Sequence, residues 1–575
     1  MNAKNSTRSV AGATFAAALS NLILAVPAQA AGLNTAGITF GADVPAVQKP
    51  LPLFRLVQTA APASFVHQVL SSRQGMAMEG TRYVARDAQG VMHAFVDTAT
   101  GETQIFPDFT PTGDTARPAA LIGAASAVFA RPDVIPKDAT QVRVGEATPI
   151  FGAGANHGAD GSTQPASAPK VLFTYIPAER FAAGLPVTGK GSHVTVGIGN
   201  DGSIRAFVRD WKAAAPAGMV APTATAAQVE REIAAQLQPF ESRYGAITVD
   251  SVKQAYYDGD ARFLQPVYEF VATLGAKGSL QDHIRGYVPV GKLAEAIPVI
   301  GHTPAGSAAP TAPVPQSTIG GDRHAMGNPS EITLGQYVNR DCESGANCLD
   351  MANAYLNGFD SVAANTYGPP IVRTQWYWAY SFEVLGSSSS YLNSVNIGYT
   401  NPHGDWYLNT TDGAYINTGD PWYVSEIGAG GNKGFGAAAG GKLATWIVDS
   451  CEVLPSYYDK QYTTGNGYNA FSPWWQVFQG LHRALGFRTQ MLLNEDSMNQ
   501  NIATSMAEGA NADSAFYNGV AAAGTFPTYL DTHLNLTVHY DRVSNFNDVR
   551  NANESIYSVQ GQTAAGSLTN VWMGN

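Results

Sequence analysis

An imidazole and a thiol each close a hydrophobic run in the last third of the chain. Val395-Asn396-Ile397-Gly398-Tyr399 leads into Asn401-Pro402-His403-Gly404, and Leu443-Ala444-Thr445-Trp446-Ile447-Val448 leads into Asp449-Ser450-Cys451. A thiol attacks a carbonyl as its thiolate, so it needs a base at hand and N–H donors aimed at the oxyanion that forms. Cys451 is the candidate nucleophile and His403 the candidate base, 48 residues upstream. Gly404 lets the backbone approach a scissile carbonyl and offer its N–H, and the N–H of Cys451 is the second expected oxyanion donor. Asp449 stands two positions before the cysteine, and the two-residue period of a strand turns both side chains to one face.

The cysteine count supports this division of roles. The chain has three cysteines. Cys342 and Cys348 flank the polar run Glu343-Ser344-Gly345-Ala346-Asn347 and are expected to close a local disulfide in an oxidising compartment. Cys451 is then the odd thiol, which in an exported protein marks a reactive group or an intermolecular bond. The bland alternative is a small apolar core residue; the polar neighbours Asp449, Ser450 and Glu452 favour reactivity.

Export is expected from the N-terminus. Lys4 and Arg8 precede the apolar stretch Val10 to Val26 and then Ala28-Gln29-Ala30. Charged, apolar and small-residue zones in that order make residues 1–30 a secretory signal peptide, and the protein secreted, extracellular or periplasmic. A net charge of −11 with only 14% charged residues argues against nucleic acid or an anionic membrane as partner.

The elements that must position the two reactive side chains alternate in type. A strand is expected near Ile332 to Val338, a helix over Asp350 to Phe359, the His403 and Cys451 strands, a helix over Ser472 to Leu485 stopped by Gly486, and a strand over Phe487 to Leu493. Such alternation implies a largely parallel sheet with helices on both faces, and the reactive crevice then lies outside the carboxyl ends of its strands. Upstream, the runs Asp87 to Val96 and Gly199 to Val208 each read as strand, polar glycine turn and strand, and Val229, Ile233 and Leu237 mark an amphipathic helix over Thr225 to Ser242. Residues 31–170 and 171–302 are read as two related α+β subdomains. The Pro/Ala-rich stretch 303–318 is a linker.

The segment from Ser330 to Leu493 resembles the caspase, gingipain, legumain and metacaspase group of cysteine peptidases, often called clan CD. The motifs that carry the resemblance are a hydrophobic strand ending in His403-Gly404 and a second ending in Asp449-Ser450-Cys451, in that order and at that separation. The resemblance implies a caspase-like three-layer α/β sandwich over residues 319–575, with a catalytic dyad of Cys451 and His403 and a protein or peptide substrate. In the metacaspase and clostripain branches the acidic residue at the offset of Asp449 helps bind a basic side chain, which implies cleavage after Arg or Lys; legumain-like relatives, which take Asn, also carry an acidic residue there. One departure stands out: metacaspases and legumains typically follow the nucleophile with Ser-Gly, where this chain has Glu452-Val453. No cofactor or metal is expected, and calcium, which assists some relatives, is left open.

A large region ahead of a protease domain is the usual arrangement of a zymogen, so residues 31–302 are expected to be a pro-region that contacts the catalytic domain. The combined expectation is a secreted cysteine endopeptidase made as a zymogen. The alternative is a non-enzymatic secreted or surface binding protein on the same scaffold, with Cys451 vestigial. Weaker signals yield to structural readings. Gly184-Leu185-Pro186-Val187-Thr188-Gly189-Lys190-Gly191 begins like a phosphate loop but lacks the Ser or Thr that holds magnesium, and reads as a hairpin turn. His157-Gly158 has no strand before it, and a papain-like arrangement with His533 or His539 lacks that family's sequence around the cysteine. His482 and Arg483 read as surface or packing residues, and Trp376, Tyr377, Trp378, Trp474 and Trp475 chiefly as core.

Overall fold

The computed structural model describes residues 37–300 and 330–574, apart from 62–64, 67–75, 114–115, 277–280, 340–347, 406–413, 419, 430–432, 458, 460–469, 524–527, 532–535, 552 and 560. The signal-peptide and linker expectations therefore lie outside the described residues. So does the Cys342–Cys348 pairing, since Cys342 and the Cys348 side chain both fall in undescribed stretches.

Helix α1 (Ala226–Tyr244) forms where the sequence places its stop and start signals. Thr225 caps it by accepting from the Gln228 N–H while the Gln228 side chain returns to the Thr225 N–H, and Gly245 ends it at φ 70°. Its apolar stripe buries Val229, Ile233, Leu237 and Phe240, about 1.5–3 kcal/mol for each large side chain taken out of water. The helix lies against an antiparallel meander of Ile247–Asp258, Phe263–Leu274 and β1 (Asp282–Pro289). The last turn of α1 thus carries Arg243 and Tyr244 toward the place where β1 begins with Asp282.

Downstream, β2 (Ile332–Asn339), β3 (Ile371–Ala379), β4 (Ile397–Asn401), β5 (Thr445–Val448) and β6 (Arg483–Phe487) run parallel in the order β3-β2-β4-β5-β6. Every residue of β4, β5 and β6 is buried. That is why their sequences do not alternate apolar with polar, even though buried Thr400, Asn401, Thr445 and Arg483 are among them. On one face lie α2 (Cys348–Asp360) and α3 (Asp496–Ala507), which cross so closely that a Cβ on Gly358 would sit 2.5 Å from the Gln500 carbonyl oxygen. Tyr399 of β4 packs there on Tyr355, ring centroids 4.8 Å apart. The other face is covered differently from expectation. Short 3-10 turns and loops bring Phe435, Trp474 and Phe478 against Trp446 and Val448, with no long helix among the described residues of that layer.

The expected helix over Ser472 to Leu485 is accordingly only the turn Ser472–Trp474, and the strand begins at Arg483, earlier than expected, and ends at Phe487. Gly480 at φ 93° breaks any helix there. Gly486 serves the strand: a Cβ would lie 2.6 Å from the Val448 carbonyl oxygen. His482 and Arg483 are fully buried, so they pack and do not face solvent.

Beyond β6 the sheet continues antiparallel through β7 (Val543–Asp548) and β8 (Ser567–Met573). Strand β8 then pairs with Thr148–His157 over seven positions, from Ser567↔Asn156 to Met573↔Ile150. Thr148–His157 pairs in turn with Thr163–Ala182. Two expectations change. The boundary placed at residue 170 falls inside the strand Thr163–Ala182, and the regions on either side of the linker share one mixed sheet. The overall class is mixed α/β, and no described helix is long and apolar enough to cross a membrane.

Candidate active site

Strand register brings the two reactive residues together. Thr400 is paired with Val448, and His403 and Cys451 each stand three residues past that pair, beyond the ends of the two neighbouring parallel strands. His403 opens a short strand, His403–Asp405, that pairs antiparallel with Tyr415–Asn417, Cys451 lies in the turn after Val448, and both line one crevice. The chain leaves β2 to one side to form β3 and returns on the other to form β4, so the sheet has a topological switch point there, the usual place for a binding crevice. A crevice at the carboxyl ends is lined by Asn339, Asn401, His403, Asp449, Cys451 and Met491, and closed from above by Arg243, Tyr244 and Asp282. The Asn339 N–H donates to the Asn401 Oδ1 at 2.9 Å and ties the strand ends across it.

Gly404 does approach a carbonyl closely, but the carbonyl is that of Cys451 itself. A Cβ there would lie 2.3 Å from the Cys451 oxygen and 2.7 Å from the Ser450 Oγ. The His-Gly and Asp-Ser-Cys loops are therefore packed backbone on backbone, which only glycine permits. Directly after Cys451, Glu452 adopts φ 51°, a left-handed conformation that costs a non-glycine residue on the order of 1–3 kcal/mol. This sharp turn lets the Val453 and Leu454 N–H groups donate to the Phe487 carbonyl.

Cys451 is 6% exposed. The Met491 N–H donates to its Sγ at 3.4 Å. Burial pushes the thiol well above its ordinary value, the charge of Asp282 adds to that, and the Met491 N–H only partly opposes it. In this arrangement the thiol is protonated at neutral pH.

Both ring nitrogens of His403 are engaged. Nδ1 lies 3.1 Å from the Asp282 Oδ1, and Nε2 lies 3.0 Å from an Nη of Arg243. A guanidinium only donates, so Nε2 accepts, the ring is neutral, and its proton sits on Nδ1 and is donated to Asp282. Tyr244 donates its hydroxyl to the other oxygen of Asp282. Burial alone would raise that carboxyl, but His403, which in acid is an imidazolium that attracts it and donates to it, the Tyr244 hydroxyl and the Arg243 charge outweigh burial and hold it at about 2.

Asp449 is buried in the same crevice. Its Oδ2 accepts from the Tyr399 hydroxyl at 2.7 Å and the Asn499 amide at 2.8 Å, whereas its Oδ1 has no hydrogen-bond partner among the described residues. Burial lifts the carboxyl to about 7 against the pull of those two hydrogen bonds.

The structure thus gathers His403, Gly404, Asp449 and Cys451 at one place, and adds Asp282, Arg243, Tyr244 and Met491, which sequence reasoning missed. Asp282 and Arg243 lie 121 and 160 residues from His403, and no local pattern marks them. The weaker candidates lie elsewhere. His157 ends a strand after all and stacks on Trp475 at 4.9 Å. Trp474 stacks on Phe546 at 4.8 Å in the core. The glycine loop at 189–191 packs onto a carboxylate, since a Cβ on Gly191 would meet the Asp258 Oδ1 at 2.0 Å, the wrong charge for a phosphate cradle. His533 lies outside the described residues, and His539 is not among the crevice residues.

Residues 340–564 match the model of a family described as a domain of unknown function, DUF6345. That span holds His403, Asp449, Cys451 and Met491 but neither Asp282 nor Arg243. Among solved structures, an uncharacterized protein from Eubacterium rectale is similar at 8% identity and a TM-score of 0.26, over 45% of this chain and 89% of that one; at that level it says nothing of fold or function. No curated protein matches the chain.

Proposed function

We propose that the chain is an exported cysteine endopeptidase of the caspase-like type, with Cys451 as nucleophile and His403 as base. The observation that carries the reading is the convergence of these two side chains and Asp449 on one crevice at the switch point of the parallel sheet, with the two loops packed together through Gly404. In the reaction His403 Nε2 takes the thiol proton and the thiolate adds to the peptide carbonyl carbon. The oxyanion is met by backbone N–H groups at Gly404 and Cys451. His403 then gives its proton to the departing amine, leaving a thioester that water hydrolyses with His403 again as base. Asp449 is suited to a basic side chain before the cut, because its unpartnered Oδ1 is buried where a guanidinium or ammonium would satisfy it and draw its proton off.

The arrangement is latent. Arg243 occupies the lone pair that must receive the thiol proton, and the thiol is buried and protonated. Those same facts favour the one competing reading, a binding scaffold with an inert cysteine. The test is a peptide library offered to the purified protein and to Cys451→Ala: cleavage after Arg or Lys that vanishes in the variant supports the peptidase, and cleavage that persists in it removes the proposal.

A further inference from the structure

We infer that Asp282 is the positioning residue of the site, a carboxylate lent by the N-terminal region to hold His403 in the tautomer whose Nε2 is the proton acceptor, so that residues upstream of the linker belong to the working enzyme and are not a removable segment. The inference rests on the reading of Cys451 and His403 as nucleophile and base. A base that takes a proton at Nε2 needs its Nδ1–H directed to a fixed acceptor, which then also stabilises the imidazolium that forms. Asp282 meets that need from 3.1 Å, is 3% exposed, and has its second oxygen engaged by Tyr244.

The strand that carries Asp282 is fastened to the catalytic side of the molecule. The Leu493 N–H donates to the His283 carbonyl at 2.9 Å, and the Arg285 N–H donates to the Asn494 Oδ1 at 3.2 Å. The Arg285 guanidinium, itself buried, pairs with Glu495. The segment held in this way is the one whose Met491 N–H contacts the Cys451 thiol. Strand β1 therefore sets the base directly and the nucleophile's loop through one contact. The sheet adds a second seam at β8 and Thr148–His157, so cutting the linker leaves Asp282 in place. Arg243 has the opposite role: it blocks Nε2 and has to move, whereas Asp282 does not.

The groups facing His403 are Asp282 from β1, Arg243 and Tyr244 from α1, and Asp449 and Cys451 from the end of β5. The experiment measures alkylation of Cys451 by iodoacetamide across pH in the full chain, read by mass spectrometry of the Cys451 peptide so that Cys342 and Cys348 do not interfere. Arg243→Gln is the background, to free the base. A thiolate–imidazolium pair gives a shoulder of reactivity below the ordinary thiol range. Asp282→Asn should shrink that shoulder about tenfold for each unit by which His403 loses basicity, and Asp282→Glu should restore much of it. The shoulder in the linker-cleaved protein should equal that of the uncut chain. A shoulder of unchanged height in Asp282→Asn overturns the positioning role while leaving the dyad intact, and a uniform rise in rate marks Asp282 as a latch and overturns it too. Absence of any shoulder in the background protein sinks the dyad itself. If Asp282→Asn does not fold, the Glu variant decides: full loss of the shoulder in a folded Asp282→Glu protein contradicts the proposal.

Discussion

Arg243→Gln should switch the site on. In the structure the guanidinium donates to His403 Nε2 at 3.0 Å, and its Cζ lies 4.7 Å from the Tyr244 ring centroid. A hydrogen bond to a charged group is worth about 1.5–3 kcal/mol, and each 1.4 kcal/mol is a factor of ten in population. Removing it should therefore raise the fraction of molecules with a free base by roughly 10- to 150-fold. The cation–π contact with Tyr244 is lost in the same substitution, and since it does not involve His403 it does not change the release of Nε2. Two assays read the gain: alkylation of Cys451 near pH 7, and turnover of peptides with Arg or Lys before the cut. Both should rise by a common factor, since both draw on the same thiolate. Stability should fall by about 1–3 kcal/mol, the other side of the same lost bond. A variant that alkylates and cleaves no faster than the parent would refute the claim that Arg243 is the block.

Other substitutions separate catalysis from packing. Cys451→Ala should abolish cleavage and leave thermal stability nearly unchanged. His403→Ala should abolish it too but lower stability by about 1.5–3 kcal/mol, because it removes the hydrogen bond donated to the buried Asp282 carboxylate, and calorimetry distinguishes the two. Asp449→Asn should erase any preference for basic side chains while stabilising the protein at pH 8 by roughly 3–4 kcal/mol: the carboxyl ionises at about 7 folded and near 3.9 unfolded, so stability is lost as pH rises between those values, and equal denaturation midpoints at pH 8 would contradict this. Acid works the other way on Asp282, held at about 2; its contribution, about 2–3 kcal/mol by the same linkage, is complete above pH 4 and disappears as pH falls toward 2, so denaturation curves of Asp282→Asn should lack that acid limb. Gly404→Ala, whose Cβ would lie 2.3 Å from the Cys451 oxygen, should destabilise by about 1–3 kcal/mol and silence the enzyme, and a fully active variant would show that the two loops are not packed as described.

How legible the molecule is depends on how local its determinants are. The strands at Ile332–Asn339, Ile397–Asn401 and Thr445–Val448 announce themselves because burial on both faces demands mostly apolar and β-branched or aromatic residues with no polar alternation. Helix Ala226–Tyr244 does so through its capping box and four-residue stripe. The stretch after Cys451 misleads, since Trp474, Phe478, Leu481 and Leu485 mimic a helical stripe while all are buried on a face that loops and turns cover. Long-range pairings leave no local trace. The seam between Ser567–Met573 and Thr148–His157, and the reach of Asp282 to His403 across 121 residues, exist only once the chain has folded. For that reason Cys451 and His403, the proposed nucleophile and base, are visible in the sequence, and Asp282 and Arg243, which hold the two ring nitrogens of His403, are not.

The central claim, that His403 and Cys451 form a working peptidase site, is tested most directly by offering an unbiased peptide library to Arg243→Gln protein and to the Arg243→Gln, Cys451→Ala double variant, with the new carboxyl ends read by mass spectrometry. The account predicts products ending in Arg or Lys from the first and none from the second. No cleavage by Arg243→Gln protein, or equal cleavage by both, would contradict it.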